Sequence, residues 1–322
     1  MRKLVLVTIA LLLFGSVGSR SSVAEIPGGA IRIIVPFSAG GPTEVLARVV
    51  GRLLGEKLGV RTYVENKPGA SGMVGTEQVA KAPADGTVLL LTATHHVITP
   101  SIYKNLPYDT RKDFSPIAMV AAAPNAILVS NSVPAESVGE LIAMLKKEPG
   151  KYPFGSSGTG GSNHLSGELF KQMAGVDIFH VPYKGNGPAM NDLIGGHIPL
   201  LFDSLPTVIN AAKGGLVRVL AVTGLKRSSL LPDVPTLDES GVKGFNVEVW
   251  FAVFMPQANG SPVYKRLVAV MKEINESPVT REKFAELGVE PSQLVGEEFT
   301  GFVDSKIRRW SEVVARANIT PE

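Results

Sequence analysis

Two segments of this chain offer main-chain chemistry rather than reactive side chains. The first is Pro36-Phe37-Ser38-Ala39-Gly40-Gly41-Pro42-Thr43. The second is Gly155-Ser156-Ser157-Gly158-Thr159-Gly160-Gly161-Ser162-Asn163-His164. Each follows a short apolar run and precedes a helical pattern, and neither contains a carboxylate, lysine or arginine. Glycine lets the backbone turn sharply and brings a ligand close to the main chain. A helix start leaves free N–H groups carrying partial positive charge, so it can hold an anion without a basic side chain. A carboxylate, phosphate or sulfate suits such a place. A strand–helix connection can also need glycine for geometry alone. Two matching loops in a chain of two-domain length favour the ligand reading.

Other chemistries fit these residues poorly. A phosphate-binding P-loop ends in Gly-Lys-Ser/Thr, which neither loop has. Asn163 stands where a dinucleotide fingerprint requires its last glycine, and Thr159 stands where a nucleophile elbow requires one. A hydrolase using Ser157 or Ser162 with His164 is the enzymatic alternative. It needs an acid to orient the base, and residues 152–167 contain no Asp or Glu. His95 and His96 are adjacent, so on an extended chain they point to opposite sides and no metal site is expected there, although one of them can reach the cleft because they follow Thr94. Lys184 and His180 lie on or beside one strand; Lys184 reads as a solvated edge lysine or a counter-charge to a ligand. Trp250 and Trp310 read as core.

The elements that would position the loops alternate. Strands are expected at 31–35, 60–64, 87–91, 114–122, 126–129, 152–155, 178–183, 198–202, 217–222 and 247–254. Helices are expected from Thr43 to Gly59, over about 73–81 with Ser71 as cap, and from a Ser137–Glu140 capping box to Lys147. Others run over 163–174, from Pro188 to Gly195, from Pro262 to Asn275, and along a final apolar stripe from Phe299 to Val314. Strands alternating with helices imply an α/β fold. The chain has 322 residues, 44% hydrophobic and 19% charged, which builds full cores. There is no cysteine, which excludes disulfides, thiolate metal sites and a lipidated N-terminal cysteine.

Residues 1–24 read as an export signal: Arg2 and Lys3, an apolar run from Leu4 to Phe14, then Ser22-Val23-Ala24 for the peptidase. Three of the 32 basic residues (Arg2, Lys3 and Arg20) and none of the 29 acidic ones lie there, so the remainder is formally neutral. A nucleic-acid partner therefore loses its electrostatic support. The expected mature protein is soluble and periplasmic, and not a lipoprotein.

Several segments, weak singly, are specific together: Ile33-Ile34-Val35-Pro36-Phe37-Ser38-Ala39-Gly40-Gly41, Glu65-Asn66-Lys67-Pro68-Gly69-Ala70-Ser71-Gly72, Ala84-Asp85-Gly86, Tyr152-Pro153-Phe154-Gly155-Ser156-Ser157-Gly158, His180-Val181-Pro182-Tyr183-Lys184-Gly185 and Leu231-Pro232-Asp233-Val234-Pro235-Thr236. From about Ile31 to Ala315 the chain resembles the Bug family, the extracytoplasmic solute receptors of tripartite tricarboxylate transporters. The resemblance implies a two-lobed periplasmic binding protein type II (Venus flytrap) fold with crossing hinge strands. The lobes would be residues 25–124 with 248–322, and residues 125–247. It also implies a small organic carboxylate as ligand, a membrane permease as partner, no cofactor and a monomer. A ligand-sensing partner of a membrane sensor kinase shares the fold.

Site residues follow from the same resemblance. Phe37, Ser38, Ala39 and Gly40 would form the first cradle. Ser156, Thr159, Gly160, Ser162 and Asn163 would form the second, with His164 at its helix start as a cap or a contact. Ser71, Thr92, Thr94 and Asp203 would face the cleft. The family usually has Asp two residues after the Pro42-like position. Here it is Glu44, whose longer reach can serve its own helix start or the ligand.

Overall fold

The computed structural model describes residues 26–316, with side chains to residue 312. The export segment read at 1–24 and the side chains of Val313 and Val314 lie outside the described residues. β1 (Ala30–Val35) pairs in parallel with β2 (Arg61–Asn66) and β3 (Val88–Ala93). β9 (Glu248–Pro256) lies antiparallel to β3, and β4 (Phe114–Val129) antiparallel to β9. Beyond it come β7 (Leu200–Ser204), β5 (Pro153–Ser156) and β6 (Phe179–Pro182), which gives the order β2-β1-β3-β9-β4-β7-β5-β6. β8 (Arg218–Val222) and β10 (Glu290–Pro291) pair with β4 off this path.

The two lobes arise because β4 changes partners. Its stretch up to Pro124 pairs with β9, and from Asn125 it pairs with β7 and β8. The runs expected at 114–122 and 126–129 are thus one strand, with Pro124 at the exchange, where a missing N–H is tolerated. Thr223 ties the crossing together. Its Oγ1 accepts the Asn125 N–H at 2.8 Å and donates to the Val247 carbonyl at 2.6 Å, fully buried. Thr223→Val would leave both backbone groups dry, which costs about 1–3 kcal/mol. Denaturant unfolding of the ligand-free protein should show that loss; an unchanged midpoint would refute the role.

Helices cover both faces of each lobe. Apolar residues of α1 (Pro42–Leu58) and α8 (Pro262–Glu276), such as Leu46, Leu54, Leu267 and Met271, pack on one face of the first lobe. α3 (His95–Ile102) and α10 (Gly296–Arg316) cover the other with Val97, Ile98, Phe299 and Val303. α2 (Met73–Ala80) joins them through Val79. In the second lobe α4 (Val138–Lys147) and α5 (Ser162–Ala174) bury Leu141, Leu145 and Phe170, while α6 (Asn186–Ile194) and α7 (Leu205–Lys213) bury Met190, Leu193 and Val208. α9 (Pro278–Glu286) adds Phe284 to the first-lobe core. Trp250 belongs to the first-lobe core, and the half-buried Trp310 packs against it. β3 reads Val-Leu-Leu-Leu-Thr-Ala because both its faces are buried. Among the described residues no helix is long and apolar enough to cross a membrane.

The caps correct two expectations. α1 is capped by Gly41, with Pro42 at its first position, not by Thr43. α2 is capped by Gly72 in the left-handed conformation, while Ser71, at φ 51°, turns its hydroxyl to Tyr103 instead. Gly59 and Gly175 end α1 and α5 in the left-handed conformation as expected. α3, α7 and α9 go beyond the expected helices. α3 hides because Val97-Ile98-Thr99-Pro100 reads as extended chain. His95 and His96 therefore open a helix instead of alternating along a strand.

Candidate functional site

The starts of α1 and α5 face each other across the seam between the lobes. The Ser38 N–H and hydroxyl both donate to the Lys184 carbonyl, at 3.0 and 2.8 Å. Close approach is built into the opposite wall. A Cβ on Gly187 would stand 2.8 Å from the Ala39 oxygen, and one on Gly161 would stand 2.3 Å from His95 Nε2.

Two spaces lie along this seam. The outer one, about 250 Å³, has Phe37, Ser71 and Tyr103 on the first lobe and Ser157, Thr159, Tyr183 and Lys184 on the second among its walls. The inner one, about 10 Å³, shares Phe37 and Ser157 and adds Thr43, His95, Asn163, Asn186 and Ser204. That is room for about one water. Among the described residues, Lys184 is the one side chain with a formal charge lining either space, His95 being neutral as described below.

The first loop spends part of its donor set internally. The Gly40 N–H donates to Glu44 Oε2 at 2.7 Å, and Arg48 Nε donates to Glu44 Oε1 at 2.9 Å. Burial works to raise the Glu44 pKa, but the Gly40 N–H and Arg48 together hold it below its ordinary value. Glu44 thus serves its own helix start. Ala39 and Gly40 are exposed and line neither space.

The second loop rests on a buried polar layer. Gly160 donates its N–H to His164 Nδ1 at 3.2 Å, so that nitrogen carries no proton. The His164 ring stacks on His180 with centroids 4.0 Å apart, and Ser156 Oγ lies 2.6 Å from His180 Nε2. Burial holds His164 down to about 4 and His180 to about 3. Ser156, Gly160 and His164 therefore stand behind the loop and shape it. Ser157 donates to Asn163 Oδ1 at 3.1 Å and Ser162 at 3.5 Å, which leaves Asn163 Nδ2 buried and unpaired beside the inner space.

The remaining candidates have supporting positions. Thr92 is buried in β3 opposite Ala252. Thr94 accepts the Trp250 N–H at 3.0 Å and so holds the crossing strand β9. Ser71 accepts the Tyr103 hydroxyl at 3.1 Å on the outer wall. Asp203 is fully buried and accepts from Asn186 Nδ2 and, at 2.6 Å, from the Ser204 N–H. Burial pushes its pKa up to about 7. Its link to the inner space runs through Asn186.

The sequence had therefore brought Phe37, Ser71, Thr159 and Asn163 to the cavity walls and Ser38 to the seam. It allowed that one of His95 and His96 reaches the cleft without saying which, and left out Tyr103, Tyr183, Asn186 and Ser204 as wall residues. Tyr183-Lys184-Gly185-Asn186, a tyrosine followed by a lysine–glycine turn at a helix start, was the one available signal for Tyr183 and Asn186.

Among the described residues the arrangement offers donors from two sides, neutral apart from Lys184, and no nucleophile–base–acid chain. Comparison with known proteins agrees. Residues 46–319 match the model of the tripartite tricarboxylate transporter family receptor. The chain is 35% identical over 290 residues to BugT of Bordetella pertussis, covering 89% of each chain. Among solved structures, Rpa4515 of R. palustris with adipate superposes with a TM-score of 0.88 at 35% identity, over 92% of this chain and 99% of that one. The periplasmic binding protein BugD superposes with a TM-score of 0.87 at 35% identity, over 92% of this chain and 100% of that one. On the extent of the match, the chain belongs to the tripartite tricarboxylate transporter receptor family.

Proposed function

We propose that this protein is a periplasmic receptor that closes two lobes on a small organic carboxylate and delivers it to the permease of a tripartite tricarboxylate transporter. The observation that carries the reading is the seam cavity, walled by both glycine-rich loops and lined by uncharged polar groups with Lys184 as the one charged side chain among the described residues. Adipate bound to Rpa4515, which shares the fold and a third of the sequence, supports a carboxylate. The lobes are residues 25–124 with 248–322, and residues 125–247, hinged where β4 passes from Pro124 to Asn125 and where β9 begins. Residues 1–24 direct export and are removed, and the mature receptor is a monomer. Closure excludes water, which strengthens each N–H contact to the ligand. Phe37, Ser71, Thr159 and Asn163 touch the ligand, Ser38 latches the closed state, and Ser162, His164, Thr94 and Asp203 hold the donors in place.

Thermal unfolding of residues 25–322 against mono-, di-, tri- and aromatic carboxylates, phosphate and sulfate tests this. A ligand at a hundredfold excess over Kd stabilises the folded state by about 2.7 kcal/mol. The expected result is a rise of several degrees for one class of carboxylate and none for phosphate or sulfate. No rise with any carboxylate, for protein shown by mass spectrometry to carry no bound acid, would end the reading.

A further inference from the structure

His95 is 5% exposed, and neither of its ring nitrogens has a hydrogen-bond partner. It opens α3 on the first lobe, with its ring 4.8 Å from that of Phe37. It also lines the inner space, where Asn163 of the second lobe places a buried, unpaired Nδ2. A buried polar atom without a partner is a cost, and an apolar side chain of similar volume would fill the same place without it. Two such groups from opposite lobes converge on one space. His96 shows the contrast. Its nitrogens are equally unpaired, but the ring is packed among Tyr108, Phe114 and Phe254 and lines neither space.

Resting on the receptor reading above, we propose that His95 is a ligand-contacting, specificity-determining residue of the cleft. Its uncharged imidazole and the Asn163 carboxamide across the seam donate hydrogen bonds to the inner end of the carboxylate, which joins the lobes. Burial, with a smaller contribution from His164, holds the imidazole down to about 3. At neutral pH the contact is therefore a directional N–H and not a positive charge. Asn163 is preset for the same task, because the Ser157 and Ser162 hydroxyls occupy its oxygen and turn its amide hydrogens to the space. Selection at this end depends on acceptor geometry. A head group lacking two acceptor atoms leaves one donor unpaired.

Calorimetric titration of the wild type, His95→Leu and His95→Gln with succinate, adipate, malate and benzoate tests the assignment. The unfolding temperature of each free protein is measured in parallel. Loss of a hydrogen bond to a charged group should weaken binding about tenfold or more in His95→Leu. The free protein should melt at the same temperature or higher, since an unpaired buried group has gone. His95→Gln keeps a donor and should recover part of the affinity. His96→Leu should leave affinity unchanged. Unaltered binding by His95→Leu would overturn the role of His95 and leave the receptor reading standing. So would a loss of affinity that comes with a lower unfolding temperature and no recovery in His95→Gln. If the wild type binds none of the carboxylates, the receptor reading falls, and the assignment with it.

Discussion

Gly161→Ala is expected to lose ligand affinity while the free protein folds and melts as the wild type does. The reason is positional. Gly161 caps α5 with ordinary extended backbone, φ −81°, so alanine fits its conformation. The obstacle is across the seam, where the new Cβ would stand 2.3 Å from His95 Nε2. The imidazole cannot swing away cheaply, being 5% exposed and packed against Phe37. Overpacking of this kind costs about 1–3 kcal/mol. On the proposed closure, the cost falls on the closed state alone. Each 1.4 kcal/mol is a factor of ten, so Kd should rise roughly tenfold to a hundredfold. Titration with whichever carboxylate stabilises the wild type gives the answer. Equal affinity would mean that the lobes do not close through this contact. A large fall in unfolding temperature would mean that Gly161 serves folding instead.

Acid should destabilise the protein well above the range in which its carboxylates titrate. Burial holds His95, His96 and His180 down to about 3 and His164 to about 4, against 6.5 for each when exposed. Below pH 6.5 the unfolded chain takes up protons that the folded protein refuses. This contribution to stability is full above that pH and is lost as the pH falls towards 4 and 3. Asp203 opposes it. Its folded pKa of about 7 lies above the unfolded 3.8, so its contribution is full below 3.8 and fades as the pH rises to 7. Four groups outweigh one. At about 1.4 kcal/mol per pH unit for each net proton, the loss between pH 6.5 and 4 is on the order of several kcal/mol. Denaturant unfolding at half-unit pH steps should show stability falling steadily over that range. A flat profile from pH 7 to 4.5 would contradict the buried, neutral state of these histidines.

Much of this organisation was legible in the sequence, and for physical reasons. Glycine at 40, 59, 160 and 175 marks backbone that other residues adopt poorly, and each of these has positive φ. The β-branched and leucine runs at 31–35 and 87–91 announced strands buried on both faces. The two loops without charge pointed to a place between them, and residues of both line the same two spaces.

Other features depend on partners far away in the chain. Thr94 looked like a cleft residue at a strand end, but its hydroxyl serves Trp250, 156 residues later. Asp203 was expected at the cleft through its main chain or a water, and its buried carboxylate is bound by Asn186 and the Ser204 N–H. His95 and His96 looked like opposite sides of a strand. The helix they open has β-branched residues and an internal proline, so tertiary packing overrides its local preference. No local pattern distinguishes a histidine that lines a seam from one packed among aromatic rings.

In the proposed function both loops close on one carboxylate. Amide hydrogen exchange of the mature protein, with and without the acid that stabilises it most, tests this directly. Slower exchange is expected in peptides covering residues 37–43 and 157–164 together, with little change in the cores of either lobe. Slowing at one loop alone, or at neither, would contradict it.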